Sequence, residues 1–495
     1  MSEEITYLEL SEANSHKFYE VKVAGTQVTI RYGRIGDAGQ SSSSNFPTPE
    51  KAVAEANKKI NEKIKKGYER AVQGVRQKRA VTRRTAMFDA YADPAPARAS
   101  SGSGRASTPA PSAVKRAPII WNFDSGSCAF GVFVDENLCW VGNEAGSIFA
   151  LNHDGSVNAK YKLPEGVKCI VADGDWLYAG CDDGNVYDLS GKAPRAAYRI
   201  ADNVDIYWLD IYDGILAVSD ENGRVTVINH EDESQWTKKS KSDRGWMVRC
   251  DEIGVYHGHR GGVTMYDWED GTVIWHRDTP GDVLFGWQEE TMVYACTSLR
   301  TVHAFTKKGE AGADCQCDGA VFSCATSPDG KLIFAGDING AVYCFDETGK
   351  RLWKLATGCG QALSMQYFQE KLYIVTRNGS LACIDASEAA ITAASQGTVP
   401  QAVAITAPKN IAATAVSTSV DTTSDTSTGV IVECYREGSE LRVRVVSEGF
   451  ERAWHCQFPK DVREEGARYV VDEVRESSRG GFYRVRGNIR KLVEG

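Results

Sequence analysis

The feature that most limits what this 495-residue chain can fold into is an internal repeat with a period of about 39 residues. A turn glycine, or its substitute, recurs at Gly146, Gly184, Gly223, Gly262, Arg300, Gly340 and Gly379, in steps of 38, 39, 39, 38, 40 and 39 residues. Each unit reads as an aromatic-rich strand, a polar turn, a second strand and a glycine-containing turn. The sixth is the clearest, from Leu332 to Asp346 and on through Gly349 to Trp353. Units of about 40 residues with alternating apolar and polar positions cannot bury a core alone and must stack, so seven of them predict a seven-bladed β-propeller over 118–388. Ile119-Ile120-Trp121 matches Arg351-Leu352-Trp353, the last strand of a unit. The stretch before the first unit is therefore expected to supply the outer strand of the seventh blade, closing the ring and removing an open edge.

Outside the repeat the chain changes character three times. Residues 1–88 read as a small α+β domain with a basic tail. Phe18, Val21, Val23, Val28 and Ile30 supply strand positions, and Gly25-Thr26 a turn. Gly33, Gly36 and Gly39 read as a tight loop. Thr48-Pro49 opens a helix running toward Tyr68. Ala52, Ala56, Ile60 and Ile64 form its apolar face, with lysines beside it. Residues 89–117 are Ala/Pro/Ser/Gly-rich and predict a flexible linker, and the Ala/Thr/Ser-rich 389–428 predict a second, disordered one. Residues 429–495 predict a small β-rich domain whose many arginines are nearly cancelled by acids. The fold class expected is multidomain and mainly β.

Charge sharpens this division. Residues 1–116 hold 20 Lys+Arg against 12 Asp+Glu, and residues 429–495 hold 13 against 12. With a total of −9, the segment 117–388 is left near −17. A basic head on an acidic body points to an anionic partner for the head alone. The 14 cysteines all follow residue 127, with no CxxC pair, and read as reduced core residues. No export signal and no run of about 18 apolar residues is found, so a cytoplasmic protein with no membrane partner is expected.

In the head, Lys17-Phe18-Tyr19 is followed by Tyr32-Gly33-Arg34-Ile35-Gly36, then Gly39-Gln40, then the lysine-rich helix and Tyr68. Over about 65 residues this resembles the WGR domain, the DNA-end-binding module of poly(ADP-ribose) polymerases, with Tyr32 where that family usually has tryptophan. The residues suit nucleic acid on their own chemistry. Tyr32 can stack on a base or sugar, Arg34 can grip a phosphate, and Gly33 lets backbone approach closely. Lys58, Lys59, Lys63 and Lys66 can extend the positive field. The blander alternative is a solvated lysine face. The resemblance implies that Tyr32 and Arg34 lie at the DNA-facing or domain-docking surface.

The D-x-x-G-x-x-x-W pattern of the repeat resembles the quinoprotein-type and WD40-type propellers, which fixes architecture and not function. Such a quinone enzyme would use clustered carboxylates and adjacent cysteines, and no Cys-Cys pair is present. His257-Gly258-His259 and Cys315-Gln316-Cys317 read as ordinary strand and turn residues and not as metal ligands. The expectation is a non-enzymatic adaptor without cofactor or metal, whose head binds DNA and whose propeller recruits a protein. The alternatives are a pure protein scaffold without DNA affinity, or a regulator of metal or molybdate metabolism of the kind some bacterial WGR proteins are labelled.

Overall fold

The computed structural model describes residues 4–12, 15–34, 40–66, 68–71, 115–174, 176–200, 205–220, 222–228, 234–476 and 481–493. The basic tail from Arg76 to Arg84 and most of the 89–117 segment lie outside them, as do Gly36 and Gly39.

The head is a five-stranded antiparallel sheet crossed by one helix. Its strands are β1 (Glu4–Glu12), β2 (Ser15–Ala24), β3 (Gln27–Arg34), β4 (Gln40–Asn45) and β5 (Glu69–Ala71), in the order β4-β3-β2-β1-β5. Gly25, at φ +59°, makes the turn between β2 and β3. The helix α1 (Pro49–Ile64) starts as the sequence dictates: Thr48 Oγ1 accepts the Lys51 N–H, and Pro49 fills the first turn. Ala52, Ala56 and Ile60 are buried against Leu8, Tyr19, Val21 and Val28. Two expectations are corrected. Gly33 lies inside β3, paired with Phe18, because β3 runs on past it to Arg34. Ile64, the last residue of the helix, is 40% exposed.

Seven antiparallel sheets follow, with innermost strands beginning at Ala129, Val167, Ile206, Met247, Val283, Val321 and Ala362. Successive innermost strands pack on one another, and the seventh packs on the first. The strand β6 (Ile119–Asp124) pairs antiparallel with Ser380–Asp385 and so becomes the fourth strand of the seventh blade, closing the ring as its sequence predicts.

The repeat letters have physical roles. In three blades a buried polar residue at the end of the second strand caps the next turn: Asn143, Asp220 and Asp337 accept the N–H of Ser147, Arg224 and Ala341 at 3.0 Å. Those turns need a positive φ, which glycine adopts without steric cost. The tryptophans tie blade to blade. Trp121, Trp236 and Trp275 donate their indole N–H to the carbonyls of His153, Trp268 and Lys307 on the following blade. Gly155, Gly271 and Gly309 pass under these rings, where a Cβ would come within 2.9 Å of ring carbon.

The segment after the seventh blade departs from expectation. Residues 389–428 carry the helix α2 (Glu388–Ser395) and then run as a belt across the outer edges of neighbouring blades. Val403–Thr406 pairs parallel with β6, and Thr414–Ala415 pairs parallel with the outer strand of the first blade. Ser417 N–H donates to Pro194 O, while Arg195 donates to Ser417 O and Ser419 O on the second blade. The Ala/Thr/Ser composition shows that the segment has no core of its own. Its order comes from backbone pairing to edges that would otherwise lie open. At the other end, Arg116 bridges Ala356 on the sixth blade in the same parallel sense, so the last residues of the expected 89–117 linker are also ordered.

Residues 430–492 form a closed five-stranded barrel in which Arg468–Glu476 pairs with both Val430–Glu437 and Phe482–Leu492. The sequence places this unit beyond a tether, yet it is docked on the second blade. Arg484, fully buried, sits 2.6 Å from Asp173. Trp176 donates to Val485 O, Gln457 to Ala197 O, and Phe482 joins the propeller core.

Candidate nucleic-acid interface

Alternation along β2 and β3 turns Tyr19, Val21, Val28 and Tyr32 toward the helix side. The helix covers all but the last of these. Tyr32 remains 44% exposed, just past the final turn of α1. Its ring stacks on Tyr19 with centroids 6.4 Å apart, and its hydroxyl donates to Gln40 Oε1 at 3.2 Å. Tyr19 in turn meets Tyr68 edge-on at 6.3 Å. Burial raises the Tyr19 hydroxyl above its ordinary range, helped by the Glu62 charge, and burial alone does the same for Tyr68. Both therefore stay neutral donors. On the opposite face Arg31 forms a two-pronged pair with Glu20 (3.0–3.1 Å) and lies over Phe18.

The residues singled out by sequence fall into different situations. Tyr32 is open to a ligand. Arg34 ends β3, in register with Lys17, and Gly33 precedes it. Lys58 and Lys59 both reach Glu55 at 3.8 Å, and Lys59 also reaches Glu62 at 3.7 Å. Lys66 is exposed beyond the helix end. Lys63 is turned inward: its ammonium lies 4.3 Å from the Tyr19 ring centre and 5.2 Å from that of Tyr68. Lysine spacing alone could not separate Lys63 from its neighbours. The aromatic partners Tyr19 and Tyr68, far apart in sequence, carry that information.

In the propeller, six of the seven innermost strands are bulged near their start, and the extra residue points into the ring. These residues are Phe130, Lys168, Tyr207, Leu284, Phe322 and Leu363, with Trp246 in the equivalent place on the fourth blade. All seven are buried. Phe130, Leu284, Phe322 and Leu363 pack together, Tyr207 and Trp246 stack at 3.7 Å, and Lys168 pairs with Asp182 at 2.6 Å. The ring is filled at this level by side chains. Sequence reasoning missed this cluster, although its signal was present as the second residue of six of the seven inner strands.

His257 and His259 belong to a hydrogen-bonded network inside the fourth blade. Ser240 Oγ contacts His257 Nδ1 (2.6 Å) and Tyr266 OH (2.8 Å), while Thr264 Oγ1 joins His259 to His276. Burial drives His257 well below its ordinary value and His259 down to about 4. Among the described residues no group of three or more His, Cys, Asp or Glu is placed to hold a metal ion, and no helix is long and apolar enough to cross a membrane. All 14 cysteines are free thiols, twelve of them buried.

Comparison with known proteins agrees with the two-part reading. Residues 5–75 match the WGR domain family, and residues 310–453 match the family described as outer membrane protein assembly factor BamB. No curated protein matches the chain. Among solved structures, the WD40 β-propeller domain of Doa1 aligns at 10% identity and a TM-score of 0.48, covering 55% of this chain and 98% of its own. The computationally designed Ika8 protein aligns at 13% identity and a TM-score of 0.44, covering 53% and 98%. The chain thus joins a head that matches the WGR family model to a seven-bladed propeller whose last part falls within the BamB family match.

Proposed function

We propose that this WGR–propeller protein is a non-catalytic adaptor whose head binds nucleic acid and whose propeller holds a protein partner. The observation that carries the first half is Tyr32: an aromatic ring, backed by a second ring, left open beside the basic end of a helix. Such a surface suits a stacked base or sugar flanked by phosphates. In this reading Tyr32 stacks, Arg34 and Lys66 contact phosphate, Lys58 and Lys59 add to the field, and Gly33 allows close approach. The inward side chains Phe130, Leu284, Phe322 and Leu363, packed on one another, support a scaffold over an enzyme by giving the inner strands an apolar lining. One feature favours a second reading, a protein-docking head without nucleic-acid affinity: Lys58 and Lys59 already share carboxylates on their own helix.

Fluorescence anisotropy of the full chain with a blunt, 5′-phosphorylated duplex, at about 50 and 200 mM salt, separates the two. The adaptor reading expects binding that weakens steeply with salt and is lost in Tyr32→Ala and Arg34→Ala. Absence of binding at low salt would sink it in favour of the protein-docking reading.

A further inference from the structure

We infer that Lys63 is a positioning residue of this interface and not one of its phosphate contacts; the inference rests on the nucleic-acid reading of the head. Three observations converge on it. Its ammonium lies over two tyrosine rings at once, at distances where the ring quadrupoles attract a cation. Its carbonyl accepts the Tyr68 N–H at 3.2 Å and the Lys66 N–H at 2.9 Å, so one residue holds Tyr68 at both its backbone and its ring. Tyr19, under the same ammonium, is the ring on which Tyr32 stacks. The side chains thus form a chain of contacts, Tyr68–Lys63–Tyr19–Tyr32, whose last member is the open one. Moving Lys63 out to a phosphate would strip the cation from both buried rings and release the support behind Tyr32. Lys66, three residues later, has an exposed side chain and is the better placed cation for the backbone of a ligand.

The two roles leave different marks on salt dependence. Each phosphate neutralised by a protein cation contributes about 0.9 to the slope of log K against log salt on duplex DNA, whereas a residue that orients an aromatic ring contributes nothing to it. The full chain would be titrated with the same 5′-phosphorylated duplex from about 50 to 300 mM salt. Lys63→Met should weaken binding about five- to tenfold at every salt concentration with the slope unchanged, the size expected for one lost contact. Lys63→Arg, whose guanidinium can still lie over the rings, should restore affinity. Lys66→Met should flatten the slope by about 0.9. A Lys63→Met line flattened by that amount would make Lys63 a phosphate contact and overturn the inference, as would wild-type affinity. If Lys63→Met fails to fold, Lys63→Gln decides over the same salt range: weakened binding with an unchanged slope supports the inference, and a slope flattened by about 0.9 overturns it. Failure of the wild-type chain to bind at all would be a different result, removing the nucleic-acid reading itself.

Discussion

Arg300 occupies the one repeat turn that lacks glycine, and replacing it with glycine should stabilise the propeller. The six glycines at this place have φ between 71° and 121°, and Arg300 adopts 69° in the same turn. A side chain in that left-handed region costs roughly 1–2 kcal/mol, because Cβ crowds the following carbonyl oxygen. Glycine removes this strain but adds conformational freedom to the unfolded chain, which takes back about 0.5–1 kcal/mol. Arg300 is exposed, and its backbone carbonyl, which accepts the Cys317 N–H at 2.8 Å, survives the change. The net gain for Arg300→Gly is therefore about 0.5–1 kcal/mol, a rise in melting temperature of about 2 °C for a protein of this size. The mirror change, Gly340→Arg, should cost about as much, since its Cβ would sit 3.3 Å from Gly360 O, tight but without collision. Gly223→Ala should cost more, as its Cβ would land 2.0 Å from Ser242 O. Urea unfolding followed by tryptophan fluorescence measures all three. A lower midpoint for Arg300→Gly would refute the reasoning, by showing that the arginine side chain stabilises the blade through contacts that outweigh its backbone strain.

Acid should act through His259. Its folded value, near 4, lies below the ordinary 6.5, so its contribution is complete above pH 6.5 and is lost as pH falls toward 4. That is about 2 kcal/mol between pH 8 and pH 5. Asp182, Asp188 and Asp220, pushed up to about 6 by burial, act in the opposite sense, because protonating them relieves the folded state in the same window. The test is therefore differential. His259→Gln should gain about 2 kcal/mol relative to wild type on going from pH 8 to pH 5, and parallel profiles would contradict the assignment. At the barrel, Arg484→Ala leaves the half-buried Asp173, which keeps only the Gly214 N–H, without its cation and should cost about 3 kcal/mol at the docking surface. Trp176, now 2% exposed, should become accessible to acrylamide. Unchanged quenching would show that Trp176–Val485 and Gln457–Ala197 hold the barrel without the ion pair.

Which parts of this architecture were legible in the sequence follows from the range of the interactions involved. The blades were legible because they repeat a local pattern: alternation along a strand, a tight turn with glycine in six of the seven, and in several blades a tryptophan on the outer strand. Even the ring closure could be read, since Ile119-Ile120-Trp121 copies a motif that occurs elsewhere in the chain. The head was legible for the same reason, its strands and helix being consecutive. The belt was not. Val403–Thr406 pairs with Trp121–Asp124, and Thr414–Ala415 with Tyr161–Lys162, partners more than 250 residues away, through main-chain bonds that leave no side-chain signature. Arg484 reads as one more arginine in a sequence where acids nearly balance bases, until its partner proves to be Asp173 on another unit. Lys63 differs from Lys58, Lys59 and Lys66 only in what folding brings above and below it. Composition and periodicity report how a segment satisfies its own backbone and core. They do not report which distant edge or ring a polar residue will meet, and at this candidate site that meeting separates a cation free to hold phosphate from one that holds tyrosine.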